Sequence, residues 1–109
     1  MKLFKQFTFE AAHSLPDFPQ MHGHSYYVEV WVWGTALNGY VMHEDKINAE
    51  CLKVKALLDH KYLNALIELP TSENIARFIW KELDHLRLFE VRVERPTVGL
   101  GVVYNGELW

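Results

Sequence analysis

The histidines are the residues best suited to chemistry. His22 and His24 stand two apart in "MHGHSYYVEVWVW", at the head of a run rich in β-branched and aromatic residues. Side chains at i and i+2 of a strand share a face, so the two imidazoles form a two-tooth chelate, with Gly23 leaving backbone room between them. His13 closes the preceding alternating run, and the intervening segment is long enough to fold it back beside His22. Three neutral imidazoles and one open position are a common donor set for catalytic Zn²⁺. An isolated histidine is ordinarily a surface or hydrogen-bonded residue, and His85 is read that way.

Two further constellations involve carboxylates. An Asp can orient a His ring and raise its basicity, which suits proton transfer near neutral pH. Asp59 and His60 in "LDHKYLN" have that composition. Against it, adjacent side chains rarely point together, and the same two residues suit a helix C-terminus. Glu94 sits on the polar face of "VRVER". A carboxylate accepts two parallel N–H bonds from a planar N–C–N edge such as guanine or a pterin presents. The blander reading is a barrel or surface carboxylate.

These residues need a scaffold. "LFKQFTFEAAH" alternates, with Leu3, Lys5, Phe7, Phe9, Ala11 and His13 on one side, and reads as a strand. "SLPDFPQM" holds two prolines and an Asp and reads as a loop. "HGHSYYVEVWVWGTAL" reads as a second strand, apolar on both faces. One face then packs on helices and the other on something else, such as a second subunit. "NGY" at residues 38–40 marks a turn. Ile47, Cys51, Val54 and Leu58 form one helical stripe. Thr71 caps a second helix whose buried stripe is Ile75, Phe78, Ile79, Leu83 and Leu86. "LFEVRVER", with Phe89, Val91 and Val93 on one face, and "GLGVVYNGELW" complete the pattern as strands. The order ββααββ predicts an α+β domain, with two helices on one face of an antiparallel sheet.

The chain of 109 residues suits a single domain, 1–109, and its 50% hydrophobic content supports a real core. That content is high for so short a chain, so part of the surplus is expected at a subunit interface. The net charge is −3 and no Lys/Arg cluster occurs, which leaves no footprint for nucleic acid or an anionic membrane. Cys51 is the sole cysteine, so no intrachain disulfide forms. No stretch approaches a membrane span or a secretory apolar region, and the expected location is cytoplasmic.

Taken together, "FEAAHSLPD…MHGHSYYVEVWVWG", "LDHKYLN", "PTSENIA" and "VRVER" resemble the 6-pyruvoyl-tetrahydropterin synthase / 6-carboxy-tetrahydropterin synthase family, in order and rough spacing over nearly the whole chain. The combination is specific where no single piece would be. The resemblance implies a tunnelling fold whose sheets join into an oligomeric barrel, commonly a trimer stacked into a hexamer, with the pocket between subunits. It implies that His13, His22 and His24 bind zinc, that Glu94 anchors the pterin ring, and that Asp59 and His60 transfer protons. The implied activity is that of a lyase acting on the 6-side chain of 7,8-dihydroneopterin triphosphate or a related pterin. Products of this class feed queuosine, folate or tetrahydropterin synthesis.

The match has gaps. The family's third catalytic residue, a cysteine in the loop before the HGH motif, is absent, and Phe18 holds the expected position. A subgroup uses glutamate there and cleaves the side chain to give 6-hydroxymethyl-dihydropterin; this loop has no Glu, and Asp17 is one residue off. Cys51 falls on the helix stripe and reads as core. His43 replaces an Asp after the second strand. Arg95 follows Glu94 where many members have Thr; it suits a phosphate or carboxylate, or is simply a surface arginine. Two alternatives therefore stand beside the synthase: a side-chain-cleaving variant, and a non-catalytic oligomer that holds zinc and a pterin or purine.

Overall fold

The computed structural model describes residues 1–107. Its backbone is a long antiparallel hairpin to which everything else is attached. β1 (Lys2–Leu15) pairs with β2 (Phe18–Trp33) in a register that sets Leu3 opposite Val32, Phe9 opposite Tyr26 and His13 opposite His22. α1 (Glu44–Leu58) follows, then a two-residue strand β3 (Lys61–Tyr62), α2 (Ser72–Glu82), β4 (Leu88–Arg95) and β5 (Leu100–Tyr104). The sheet order is β3-β1-β2-β4-β5. The four long strands are antiparallel, as the alternation implies, whereas β3 runs parallel to β1 at one edge.

Side-chain alternation decides the two faces. Phe9, Tyr26, Val28, Val30, Val32, Val91 and Val93 are buried beneath Ile47, Cys51, Val54, Leu58, Ile75, Ile79 and Leu83 of the helices. Thr71 caps α2, its hydroxyl accepting from the Asn74 N–H at 3.2 Å. The opposite face has no helix over it. There Phe4 stacks on Trp31 with ring centroids 4.6 Å apart, and Glu29 accepts from Trp31 Nε1 at 2.9 Å and from the Tyr27 hydroxyl at 3.0 Å. The two-sided apolar character of β2 thus reflects one helix-covered face and one face of stacked aromatics.

Four sequence expectations shift. Residues 14–21 are not a loop: Pro16 and Asp17 alone make the turn, and Phe18 already pairs with Leu15. A register irregularity between His13 and Leu15 accommodates Pro19, which is tolerated where the ladder is broken. β2 stops at Trp33, and the turn lies beyond it, where Asn38 and Gly39 take positive φ of 53° and 88°. Phe89 is exposed rather than core, because a bulge between Trp31 and Val32 sets Leu88 opposite Val32 and turns Phe89 outward under the Lys2 ammonium. The last strand ends at Tyr104; of the remainder assigned to it, Leu108 and Trp109 lie outside the described residues.

Candidate metal centre and active site

Cross-strand pairing brings His13 against His22, and the period of two puts His24 on the same face. The three rings stand nearly perpendicular to one another, with centroids 4.5 to 5.1 Å apart. One nitrogen from each lies within 4.8 Å of the others. The tautomers follow from the neighbours. His13 Nδ1 faces the Pro70 carbonyl at 2.8 Å and His22 Nδ1 faces the Gln20 carbonyl at 3.0 Å. A carbonyl only accepts, so each Nδ1 carries the proton and each neutral ring keeps its lone pair on Nε2. Those two Nε2 atoms are 3.0 Å apart, and His24 Nε2 is buried without any hydrogen-bond partner. Converging lone pairs repel unless a cation sits among them. The donor set therefore fits a metal ion, and its all-nitrogen, three-ligand character suits zinc with one open position. Burial is the main influence pushing His13 and His24 below the ordinary imidazole range, which keeps both rings neutral and ready to ligate.

The strings that flank the histidines turn out to brace them. Asn64 accepts from Ser14 N–H at 2.8 Å and donates to the Ser14 carbonyl at 2.9 Å, which locks the strand just past His13. Asn74 donates to the Leu69 carbonyl at 2.8 Å, which holds the turn that aims the Pro70 carbonyl at His13. Tyr26, buried and pushed up to about 12 by that burial, places its hydroxyl 3.4 Å from His13 Nδ1. Metal-ligating histidines commonly depend on such outer contacts for ring orientation. Residue type alone does not signal these roles for Asn64, Pro70 and Asn74.

Asp59 and His60 do point together. Asp59 ends α1 and its Oδ1 accepts from the Glu10 N–H at 2.9 Å, while its Oδ2 lies 3.1 Å from His60 Nδ1. His60 adopts a positive φ of 59°, which swings its ring back toward its neighbour, and its own N–H bonds the Glu10 carbonyl at 2.6 Å. The Glu10 N–H, and after it His60, holds the Asp59 carboxyl below the usual range. The His60 side chain is 79% exposed, so its outer nitrogen is accessible. A groove of about 700 Å³ runs past His60, Glu10, Ser25 and His24.

Glu94 lies elsewhere. It is exposed on β4, lining a separate depression of about 520 Å³ together with Gly101. Gly101 is its cross-strand partner, and the missing side chain leaves the space that the Glu94 chain fills. Within one chain the histidine trio is assembled across β1 and β2, the Asp–His pair sits at the β1 edge beside Glu10, and the carboxylate on β4 lies in a different depression. Phe18, exposed, stands on the His22 side of β2 with ring centroids 6.4 Å apart, so an apolar ring rather than a thiol flanks His22 at that position. Cys51 is buried in the core and its thiol is pushed up to about 11, far from a thiolate. Asp17 is exposed at the hairpin turn. His85 bonds Glu50 at 2.7 Å, as a surface histidine would.

Residues 2–107 match the family described as 6-pyruvoyl tetrahydropterin synthase. The chain is 33% identical to a dihydroneopterin monophosphate aldolase of Pyrococcus furiosus over 103 residues, which cover 93% of this chain and 90% of that one. It is 39% identical to a 6-carboxy-5,6,7,8-tetrahydropterin synthase of Synechocystis over 95 residues, covering 75% of this chain and 74% of the relative. The fold superimposes on the 6-pyruvoyl tetrahydropterin synthase of Caenorhabditis elegans with a TM-score of 0.84 at 23% identity, covering 98% and 96% of the two chains. That likeness extends the tunnelling fold to this molecule. The chain belongs to the 6-pyruvoyl tetrahydropterin synthase family.

Proposed function

We propose that the protein is a zinc-dependent lyase that breaks a carbon–carbon bond in the three-carbon side chain at position 6 of a phosphorylated 7,8-dihydroneopterin, releasing 6-hydroxymethyl-dihydropterin. One observation carries this reading: the metal trio and the Asp–His pair are present, but no thiol stands near them, since Phe18 faces His22 and Cys51 is sealed in the core. A thiol is the base expected for the 6-pyruvoyl and 6-carboxy products, and the loop glutamate that side-chain-cleaving relatives use is absent as well, so in this reading His60 serves as the base for side-chain cleavage. The name of the Pyrococcus furiosus relative, an aldolase, supports the same choice.

The reaction balances without an oxidant. The 2′-hydroxyl loses its proton, the C1′–C2′ bond breaks, and C2′ leaves as the aldehyde carbon of a two-carbon phosphate. The bonding pair is delocalised into the C6–N5 imine of the ring, and C1′ then takes up a proton. Zinc, held by His13, His22 and His24, would supply Lewis acidity toward the side-chain hydroxyls. His60 is the proton carrier: Asp59 fixes its Nδ1–H and leaves Nε2 as the accepting atom. Glu94 accepts the N–C–N edge of the ring. In an assembly of several copies, the Glu94 and metal regions of different chains complete one site.

The test is incubation of zinc-loaded protein with 7,8-dihydroneopterin mono- and triphosphate, with an aldehyde-trapping reagent and product detection by mass spectrometry. The 6-hydroxymethyl product with a trapped two-carbon aldehyde is expected. A 6-carboxy or 6-pyruvoyl product contradicts the proposal, and bound but intact substrate identifies a binder.

A further inference from the structure

Arg95 follows Glu94 on β4 and therefore faces the other side of the sheet, the side of the fully buried Val91 and Val93. Extending the β2–β4 register one step from the Tyr27–Glu94 pair sets Arg95 across from Tyr26, whose hydroxyl lies 3.4 Å from His13. Its positive charge is felt at His13, His24 and Tyr26. Arg95 also borders the depression that Glu94 lines, so it stands between the metal end of the molecule and the ring-anchoring carboxylate.

Among the described residues nothing satisfies its Nε. Arg95 is only partly exposed, and its Nε is buried with no hydrogen-bond partner. Among the described residues its guanidinium forms no ion pair. A buried donor without an acceptor is unfavourable, and the Arg95 Nε–H calls for a partner from outside while the rest of the guanidinium reaches toward solvent. A divalent metal held by the three neutral imidazoles would add positive charge to the same region, and among the described residues that ligand set includes no carboxylate. The guanidinium fork offers parallel donors matched to a phosphate, and it stays charged at every working pH.

Resting on the reading of a phosphorylated pterin side chain as substrate, we propose that Arg95 receives the phosphate at the end of that side chain and sets the preference for phosphorylated over unphosphorylated ligands. The phosphate lies beyond the bond that breaks, so Arg95 holds the leaving fragment while the ring is held elsewhere. It acts as a specificity residue and takes no proton.

Binding to the zinc-loaded protein decides this, measured for 7,8-dihydroneopterin, its monophosphate and inorganic phosphate, with wild type, Arg95→Gln and Arg95→Lys. Arg95→Gln should weaken the monophosphate about 10- to 100-fold, the range for losing a charge-assisted hydrogen bond, and leave dihydroneopterin unchanged. Arg95→Lys should fall between, since it keeps the charge and loses the fork. Inorganic phosphate should broaden its ³¹P signal with wild type and not with Arg95→Gln. Equal weakening of both pterins, weakening of neither, or loss of zinc from the variant overturns the assignment. If wild type binds neither pterin, the substrate reading falls and the phosphate arm decides alone: binding that depends on Arg95 sustains the anion site, and its absence removes it.

Discussion

Replacing Gly101 with alanine is expected to weaken pterin binding in a protein that folds normally. Gly101 opposes Glu94 across β4 and β5. An added Cβ would stand 2.7 Å from Glu94 Cγ and 3.1 Å from the Val93 carbonyl oxygen. Non-bonded carbons rest at about 3.5–4.0 Å, so Glu94 Cγ must retreat by about 1 Å. A hydrogen bond of about 2.9 Å does not survive that displacement. Each hydrogen bond to a charged group contributes about 1.5–3 kcal/mol, so loss of one raises Kd by about 10- to 150-fold. No φ strain adds to this, because Gly101 is not among the positive-φ glycines, and the remaining backbone cost is the tight approach to the Val93 carbonyl. Removing glycine's freedom from the unfolded chain instead adds about 0.4–1 kcal/mol, offsetting part of the squeeze on the Val93 carbonyl. The assay is titration of the zinc-loaded protein with dihydroneopterin beside a urea unfolding curve. Glu94→Gln should show a comparable loss of affinity. Wild-type affinity in a folded Gly101→Ala protein, with Glu94→Gln impaired, would refute the steric reasoning; wild-type affinity in both would remove Glu94 from the site.

Other perturbations separate the remaining parts. His22→Ala should abolish bound zinc, read by elemental analysis of purified protein, and retained zinc would mean a different ligand set. Asn64→Leu removes the paired bonds of 2.8 and 2.9 Å to Ser14. Stability should fall by about 1–3 kcal/mol in urea unfolding, and zinc should be surrendered more readily to a competing chelator. Asp59→Asn should lower kcat and leave ring affinity intact, whereas equal losses would make the pair structural. The folded-state pKa of Asp59 lies below its unfolded value, chiefly through the Glu10 N–H. Its stabilisation is therefore complete above pH about 4 and is lost as pH falls through the lower folded value. Urea midpoints followed downward from pH about 4 should drop less steeply in Asp59→Asn than in wild type.

Much of the fold was legible because alternation is a local property. Leu3 to His13 and Tyr26 to Val32 sort to the faces their spacing implies, and Thr71 caps where its type suggests. The hairpin tip was misread because prolines usually mark loops, while here the turn needs only Pro16 and Asp17 and a register break shelters Pro19. Phe89 was misplaced because a bulge reverses one residue's side without altering the pattern around it. At the site, period two places His22 and His24 on one face, as found. The Asp59–His60 contact depends on a positive φ at a non-glycine residue, which residue type does not announce. The Asn64 and Pro70 braces span 50 and 57 residues, beyond the reach of any local rule.

Turnover of 7,8-dihydroneopterin monophosphate in deuterated water tests the central claim most directly, because the claim is that C1′–C2′ breaks and C1′ is then protonated. The expected result is 6-hydroxymethyl-dihydropterin carrying one solvent deuterium at C1′, with zinc required and His60→Ala slow. A 6-carboxy or 6-pyruvoyl product, or substrate recovered intact from a zinc-loaded protein that binds it, would contradict side-chain cleavage at this site.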